Sequence, residues 1–127
     1  MPDEMDSLKI EKKEGYLLVV FPPYHSLEVF EKYFSEMYEA VNKYKSPRVL
    51  IDVLATKEKV PILELYELGC YMAEKNMDKK PRIAGIASKE AVYSDKFFQN
   101  VVRNRGVDLL RFVESYEEAF DWLEVEV

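Results

Sequence analysis

The sequence has few of the residues on which enzymes and metal sites most often depend. Its 127 residues include one cysteine, one histidine and four glycines. The single thiol, Cys70, excludes an internal disulfide and a multi-thiolate metal site. The glycine-rich phosphate loops G-x-G-x-x-G and G-x-x-x-x-G-K are absent, and so is the nucleophile motif G-x-S-x-G. We therefore expect a protein that is not an enzyme and that binds neither a cofactor nor a metal.

An excess of basic residues and long apolar runs are missing as well. The chain has 18 Lys and Arg against 24 Asp and Glu, a formal net charge of −6, which opposes unspecific binding to nucleic acid and to anionic membranes. The longest apolar run, residues 16–23, is far too short to span a membrane. Residues 1–6 are acidic and polar, unlike a signal peptide. The sequence predicts a cytoplasmic protein with no membrane span and no nucleic-acid partner.

Apolar residues are abundant enough for a substantial core. Apolar types make up 48% of the chain and aromatic residues 13%, and a chain of this length is typical of one domain. No internal repeat and no low-complexity linker divides it. We therefore expect one domain over residues 8–127, preceded by a loose leader over residues 1–7.

Five short apolar runs predict strands. Residues 8–12 alternate apolar and polar side chains, residues 16–21 are continuously apolar, and Glu14 and Gly15 between them suit a tight turn, so these two runs predict a hairpin. Three later runs are mostly aliphatic, at residues 49–54, 83–87 and 109–113. Runs of that kind are typical of a parallel sheet covered by helices.

Four segments with apolar residues at three- and four-residue steps predict helices. They run from Ser26 to about residue 45, from Pro61 to about residue 77, from Ser94 to about residue 104, and onward from Ser115. Ser26 is a suitable N-cap, and Ser115 with Glu118 matches a capping box. Pro61 suits the first turn of its helix.

The resulting order, β-β-α-β-α-β-α-β-α, predicts an α/β protein. Alternating strands and helices favour a mixed, mostly parallel five-stranded sheet with about four helices. The first short strand would lie at the edge and run antiparallel to its neighbour.

Four segments resemble the SpoIIAA-like family, a branch of the STAS domains named for sulfate transporters and anti-sigma factor antagonists. They are VLIDV at residues 49–53, RIAGIA at 82–87, LRF at 110–112 and EEAFDWL at 117–123. The last two are the most specific. The resemblance extends from about Leu8 through the rest of the chain in element order and spacing. It implies a STAS-like βα superhelix and a non-catalytic regulatory or binding role.

The resemblance also locates the segment where members related to anti-sigma factor antagonists carry a phosphorylated Ser or Thr. Their Asp-Ser-Ser-Gly motif lies between the third strand and the next helix, where this chain has ATKEKVP at residues 55–61. No serine and no glycine of that motif is matched here, and Thr56, among charged residues, is the one hydroxyl in the segment. We therefore do not transfer the phosphorylation switch to this chain. Related folds bind lipids or other apolar ligands, which leaves a ligand pocket as an alternative.

The carboxyl ends of the predicted strands are the expected place for a ligand, because open α/β sheets bind ligands there. The candidate residues are Tyr24, His25, Ser26, Thr56, Lys57, Ser88 and Lys89. Helix N-termini and lysines at this edge would suit an anion. The alternative is that these segments are ordinary solvated loops, that His25 is a surface residue and that Cys70 is a packing residue.

The first two helices carry more apolar residues than one buried stripe requires. Tyr33 and Met37 on the first helix, and Tyr66 and Tyr71 on the second, are the candidate contact residues. A central helix flanked on both sides would bury such a wide arc, whereas a homodimer face or another protein partner would cover it. We expect a protein-binding regulatory module that forms a homodimer; the alternative is a carrier or sensor of a small apolar ligand or anion.

Overall fold

The computed structural model describes residues 8–57, 60–79, 81–88, 92–104 and 110–125. Within these ranges the chain forms β1 (Lys9–Lys13), β2 (Tyr16–Val20), α1 (Leu27–Tyr44), β3 (Arg48–Asp52), α2 (Ile62–Lys79), β4 (Arg82–Ile86), α3 (Val92–Asn104), β5 (Leu110–Val113) and α4 (Tyr116–Leu123). The expected leader, residues 1–7, lies outside the described ranges.

The strands form one five-stranded sheet in the order β1-β2-β3-β4-β5. β1 pairs with β2 antiparallel, and the remaining neighbours pair in parallel. The predicted mixed α/β sheet with four helices is therefore confirmed. Because neighbouring parallel strands follow one another along the chain, the loops after β2, β3 and β4 lie side by side at one edge of the sheet.

Alternation along the strands divides the core between the two faces of the sheet. Val49 and Ile51 of β3 belong to a large cluster with residues of α1, α2 and α3. Leu50, between them in the sequence, belongs to a smaller cluster with Ala119 and Leu123 of α4. Three helices therefore cover one face, and α2 packs between α1 and α3. The other face is covered by α4, an arrangement that the order of elements does not specify.

Arginines from the sheet hold the last turn of α4. Arg48 Nε donates to the Leu123 carbonyl at 2.6 Å, and Arg82 Nη1 donates to the Trp122 carbonyl at 2.7 Å. The guanidinium carbons of Arg82 and Arg111 lie 4.4 and 4.5 Å from the centre of the Trp122 ring. Helix carbonyls at a C-terminus lack partners within the helix, so these cations satisfy them and complement the helix dipole.

The helix starts follow the predicted capping residues with two differences. Ser26 Oγ accepts the Val29 N–H and Ser115 Oγ accepts the Glu118 N–H, each at 3.2 Å, which confirms both caps. A capping box requires the Glu118 side chain to accept the N–H of the cap residue, Ser115. Here it accepts the N–H of Glu114 instead. Pro61 lies outside the helix, because α2 begins at the next residue and the Pro61 carbonyl accepts the Leu65 N–H.

Candidate functional site

A hollow of about 450 Å³ opens at the edge of the sheet where β2 and β3 end. Its walls come from the loop between β2 and α1, the loop between β3 and α2, and the first turn of α2. The lining residues are Pro23, Tyr24, His25, Ala55, Thr56, Lys57, Val60, Pro61 and Glu64. Four of the predicted site residues thus line one hollow: Tyr24, His25, Thr56 and Lys57.

Thr56 connects three of the strand-end loops through hydrogen bonds. Its hydroxyl accepts the backbone N–H of Tyr24 at 3.0 Å, and its carbonyl accepts the Ser88 hydroxyl at 3.2 Å. Ser88 is itself buried, with 6% of its surface exposed. Polar groups with little access to water need such partners. Thr56 and Ser88 therefore hold the loops after β2, β3 and β4 in a fixed arrangement.

Tyr24 closes the hollow on the side of α2. Its hydroxyl donates a short hydrogen bond to Glu64 Oε1, and its ring packs edge-on against Phe30 with 4.8 Å between ring centres. Burial first, and then the bond to the Glu64 carboxylate, raise the pKa of the Tyr24 phenol above its ordinary value of 10.0. The phenol is therefore a neutral donor at physiological pH, and its proton joins the loop after β2 to the first turn of α2.

An apolar crevice of about 40 Å³ lies next to the hollow. The two share Tyr24, Thr56 and Val60 as lining residues. The other residues that line the crevice are Phe30, Phe34, Ile51, Val53, Leu65, Leu68, Phe98 and Phe112. A polar hollow thus continues into a small apolar space between the sheet and the helices.

The other predicted site residues have structural positions or lie outside the described residues. Ser26 caps α1 and Ser88 is bonded to Thr56. His25 and Lys57 are exposed at the rim of the hollow. Lys89 falls outside the described residues. Of the residues predicted at the strand ends, those that line the hollow therefore come from the loops after β2 and β3 and not from the loop after β4.

Glu64 is the residue of the hollow that sequence reasoning missed. Its position in the first turn of α2 was visible, but acidic residues are common there because they complement the helix dipole. Nothing local indicates that its carboxylate meets Tyr24, 40 positions earlier in the chain.

A second polar contact that the sequence does not reveal joins α4 to β3. Tyr116 donates its hydroxyl proton to Asp52 Oδ2 at 2.9 Å, while Asp52 Oδ1 accepts the Leu54 N–H at 2.9 Å. Burial first, and then the bond to Asp52, raise the pKa of Tyr116 to about 12. Asp52 therefore has a structural role at the end of its strand.

Removing this hydroxyl with Tyr116→Phe should cost about 0.5–1.5 kcal/mol of unfolding free energy at neutral pH. The folded-state pKa is raised, so the contribution is complete below pH 10, the ordinary tyrosine value, and is lost as the pH rises to about 12. Urea unfolding at pH 8 and at higher pH measures the difference in unfolding free energy between the wild type and Tyr116→Phe, which should become smaller as the pH rises. The absorbance difference between them at about 295 nm should titrate near pH 12; a midpoint at the ordinary tyrosine value would contradict the contact.

The four predicted contact residues do not share one surface. Met37 is fully buried, with 0% exposed, so its assignment to a contact face does not fit this structure. Tyr33 and Tyr71 are half-buried and pack against the core. Tyr66 is 45% exposed. The periodicity identified apolar positions correctly, but α1 and most of α2 use them inside the domain, because α2 has a helix on each side.

Three large apolar side chains at the start of α2 remain in contact with solvent. Ile62 is 63% exposed, Leu63 76% and Tyr66 45%. Pro61 beside them is exposed as well. We call these four residues the α2 patch. It borders the hollow, since Pro61 and Glu64 line that hollow.

Two further observations concern the described residues alone. None of the helices there is both long and apolar enough to cross a membrane. In the same part of the chain, no three His, Cys, Asp or Glu side chains are grouped so that they could hold a metal ion.

Comparison with known proteins identifies the fold. No family model and no curated protein matches the sequence. The structure is similar to that of a serine-to-glutamate variant of RsbS from Moorella thermoacetica, a STAS-domain anti-sigma factor antagonist. The TM-score is 0.61 at 16% identity, over 92% of this chain and 94% of the other. The mixed five-stranded sheet with four helices that this chain forms is therefore the STAS fold.

Proposed function

We propose that this chain is a non-catalytic regulatory module that acts by protein–protein contact through the α2 patch. The observation that carries the proposal is the exposure of Ile62, Leu63 and Tyr66 on neighbouring turns of one helix. Apolar side chains grouped on a surface mark contact sites more often than single exposed ones do. Tyrosine suits such a site because its ring can pack against a partner while its hydroxyl remains in a polar environment.

The similarity to RsbS supports the same mode of action. An anti-sigma factor antagonist is, by its description, a protein that acts on another protein. The polar side chains around the hollow support a non-catalytic role. The Thr56 hydroxyl is bonded to a backbone N–H and the Tyr24 hydroxyl to a carboxylate, so both serve to connect loops. A cytoplasmic location, expected from the composition, belongs to this proposal.

The partner that we propose is a second copy of the chain. An interface between two identical copies must be self-complementary, so any charged residues in it need partners of the opposite sign. Both signs are exposed on α2 and on the neighbouring α3: Glu67 and Glu74 on α2, and Lys96 and Arg103 on α3. These two helices are neighbours, with Gly69 facing Val101. Acidic residues of one copy can therefore meet basic residues of the other around an apolar centre.

The homodimer is tested by sedimentation equilibrium of the wild type and of Leu63→Glu. We expect the wild type to dimerise at micromolar concentration and the variant to dissociate at least about tenfold more readily, because a charge would be buried at the apolar centre. Leu63 is 76% exposed, so the substitution should leave the fold intact. The matched control is Tyr44→Glu at the end of α1, where Tyr44 is 38% exposed and outside the patch.

Each outcome of this experiment is decisive. A wild type that stays a single chain at high micromolar concentration contradicts the homodimer. A dimer that Leu63→Glu leaves intact, or that Tyr44→Glu weakens equally, shows that the α2 patch is not the contact surface.

A further inference from the structure

We infer that the hollow and the adjoining crevice form one binding site for a small amphipathic carboxylate, with a short apolar tail in the crevice and the carboxylate beside Lys57. This inference concerns a ligand and does not depend on the dimer proposed above. It rests on three features of the described residues: an apolar space of defined size, a polar entrance that shares residues with it, and a cation at that entrance.

The crevice defines the tail. Its rings and aliphatic side chains include Phe34, Phe98 and Phe112, and these offer the tail dispersion contacts but hardly any hydrogen bonds. A volume of 40 Å³ corresponds to roughly three water-sized spaces, which suits a tail of about three or four carbons. The space is too small for a lipid chain. Of the apolar ligands considered in the sequence analysis, only those with a short aliphatic group fit this crevice.

The junction between the two spaces is held by contacts within the chain. Tyr24, Thr56 and Val60 line both of them. The Tyr24 N–H is bonded to the Thr56 hydroxyl, and the Tyr24 hydroxyl is bonded to Glu64, 40 positions later in the chain. The entrance is therefore set before any ligand arrives, and pre-organisation lowers the entropic cost of binding. The hollow, at about 450 Å³, falls in the usual range for small-molecule sites of about 300–1,000 Å³.

The charges at the entrance favour a carboxylate over an amine. Glu64 already accepts the Tyr24 hydroxyl, whereas Lys57 is exposed and forms no ion pair with any residue in the described ranges. Lys57 is thus the cation available to a ligand, and His25 on the rim is a second donor. One lysine matches a single negative charge. Glu64 and the net charge of −6 oppose a dianion such as phosphate about twice as strongly as a monoanion.

The test is an NMR titration of the isotopically labelled full chain with four probes that separate tail from head. Isovalerate has the proposed tail, an isobutyl group, and a carboxylate head. Isopentylamine and isopentanol carry the same isobutyl group on a CH₂NH₃⁺ and a CH₂OH head, so that the charge is positive or absent, and acetate has no tail. We expect isovalerate to shift the amide signals of Tyr24, Thr56 and Leu65 saturably, with a dissociation constant of about a millimolar. Acetate and isopentylamine should bind at least about tenfold more weakly.

Two variants locate the head and the tail. Lys57→Gln should reduce isovalerate affinity to that of isopentanol and leave isopentanol unchanged, while the matched control Lys43→Gln, an exposed lysine at the far end of α1, should change neither. Val60→Phe should fill the junction and abolish binding of every probe with a tail, with signal dispersion showing that the variant is folded.

Several results would overturn the inference. They are equal affinity for isovalerate and isopentylamine, equal affinity for isovalerate and acetate, shifts confined to amides away from the hollow, and shifts that fail to saturate. Lys57 and Val60 lie outside the α2 patch, and ligand binding and dimerisation are measured separately, so failure of this inference is distinguishable from failure of the proposed function.

Discussion

Replacing Gly85 by alanine should destabilise the protein by about 2–3 kcal/mol, a large part of the stability of a domain of this size. Gly85 lies in β4 opposite Phe112 of β5, and a β-carbon at Gly85 would overlap the Phe112 ring. The ring can yield only towards the small crevice that it lines, since Phe112 is 6% exposed and packs against Phe98 with 6.0 Å between ring centres. The gain in chain stiffness from alanine, about 0.5–1 kcal/mol, offsets only part of this cost.

Urea unfolding followed by circular dichroism measures the effect, and Gly69→Ala is the matched control. At Gly69 a β-carbon would lie 2.7 Å from Val101 Cγ1. This contact is between two helices, and alanine is favoured over glycine in a helix by about 1 kcal/mol, so we expect Gly69→Ala to stay within about 1 kcal/mol of wild type.

A second substitution separates the ring overlap from other causes. The double variant Gly85→Ala with Phe112→Leu should lose less unfolding free energy than the sum of the two single losses, by more than about 1 kcal/mol. The smaller side chain at position 112 removes the overlap that Gly85→Ala creates. A Gly85→Ala protein with the wild-type midpoint, or a double variant whose losses simply add, would contradict this account.

Replacing Trp122 by alanine should cost about 3 kcal/mol by loosening α4 from the sheet. The guanidinium groups of Arg82 and Arg111 both lie over the ring, and the ring Nε1 donates to the Ile83 carbonyl at 3.0 Å. Cation–π contacts of this kind contribute about 0.5–2 kcal/mol each, depending on burial. Since α4 alone covers its face among the described elements, loss of its anchor should expose Leu50 and Ala84 beneath it.

The control is Trp122→Phe, which keeps an aromatic ring in contact with both arginines and loses the N–H donor. We expect it to cost about 1 kcal/mol, and the difference between the two variants reports the stacked ring. Circular dichroism is the appropriate probe, because Trp122 is the one tryptophan and its fluorescence is lost in both. An alanine variant as stable as the phenylalanine variant would show that the stacking contributes nothing.

Short-range features of the fold were predictable from the sequence. The caps at Ser26 and Ser115 and the hairpin turn at Gly15 depend on residues within three or four positions, so the local sequence is enough to predict them. The order of strands also followed, because alternating strands and helices leave few arrangements open. Boundaries shifted by one or two residues where strand pairing, not composition, decides the end, as at Arg48 and Arg82, which begin β3 and β4.

The candidate site was predictable only as a location. Parallel order alone places the carboxyl ends of the strands together, and four of the residues proposed from the sequence line one hollow there. Which side chains meet there was not predictable: Tyr24 contacts Thr56 across 32 positions and Glu64 across 40, and Asp52 contacts Tyr116 across 64. Partners so far apart are set by how three crossovers place their loops.

The sequence by itself determined the strands, the helices, their order and the apolar positions on each. Only the tertiary structure decided that α4 is the one described helix on its face, that Met37 is buried, and that Ile62 and Leu63 are exposed. The physical reason is that hydrophobic periodicity marks the side of a helix that avoids water, whereas the neighbour that covers this side depends on packing between segments distant in the chain.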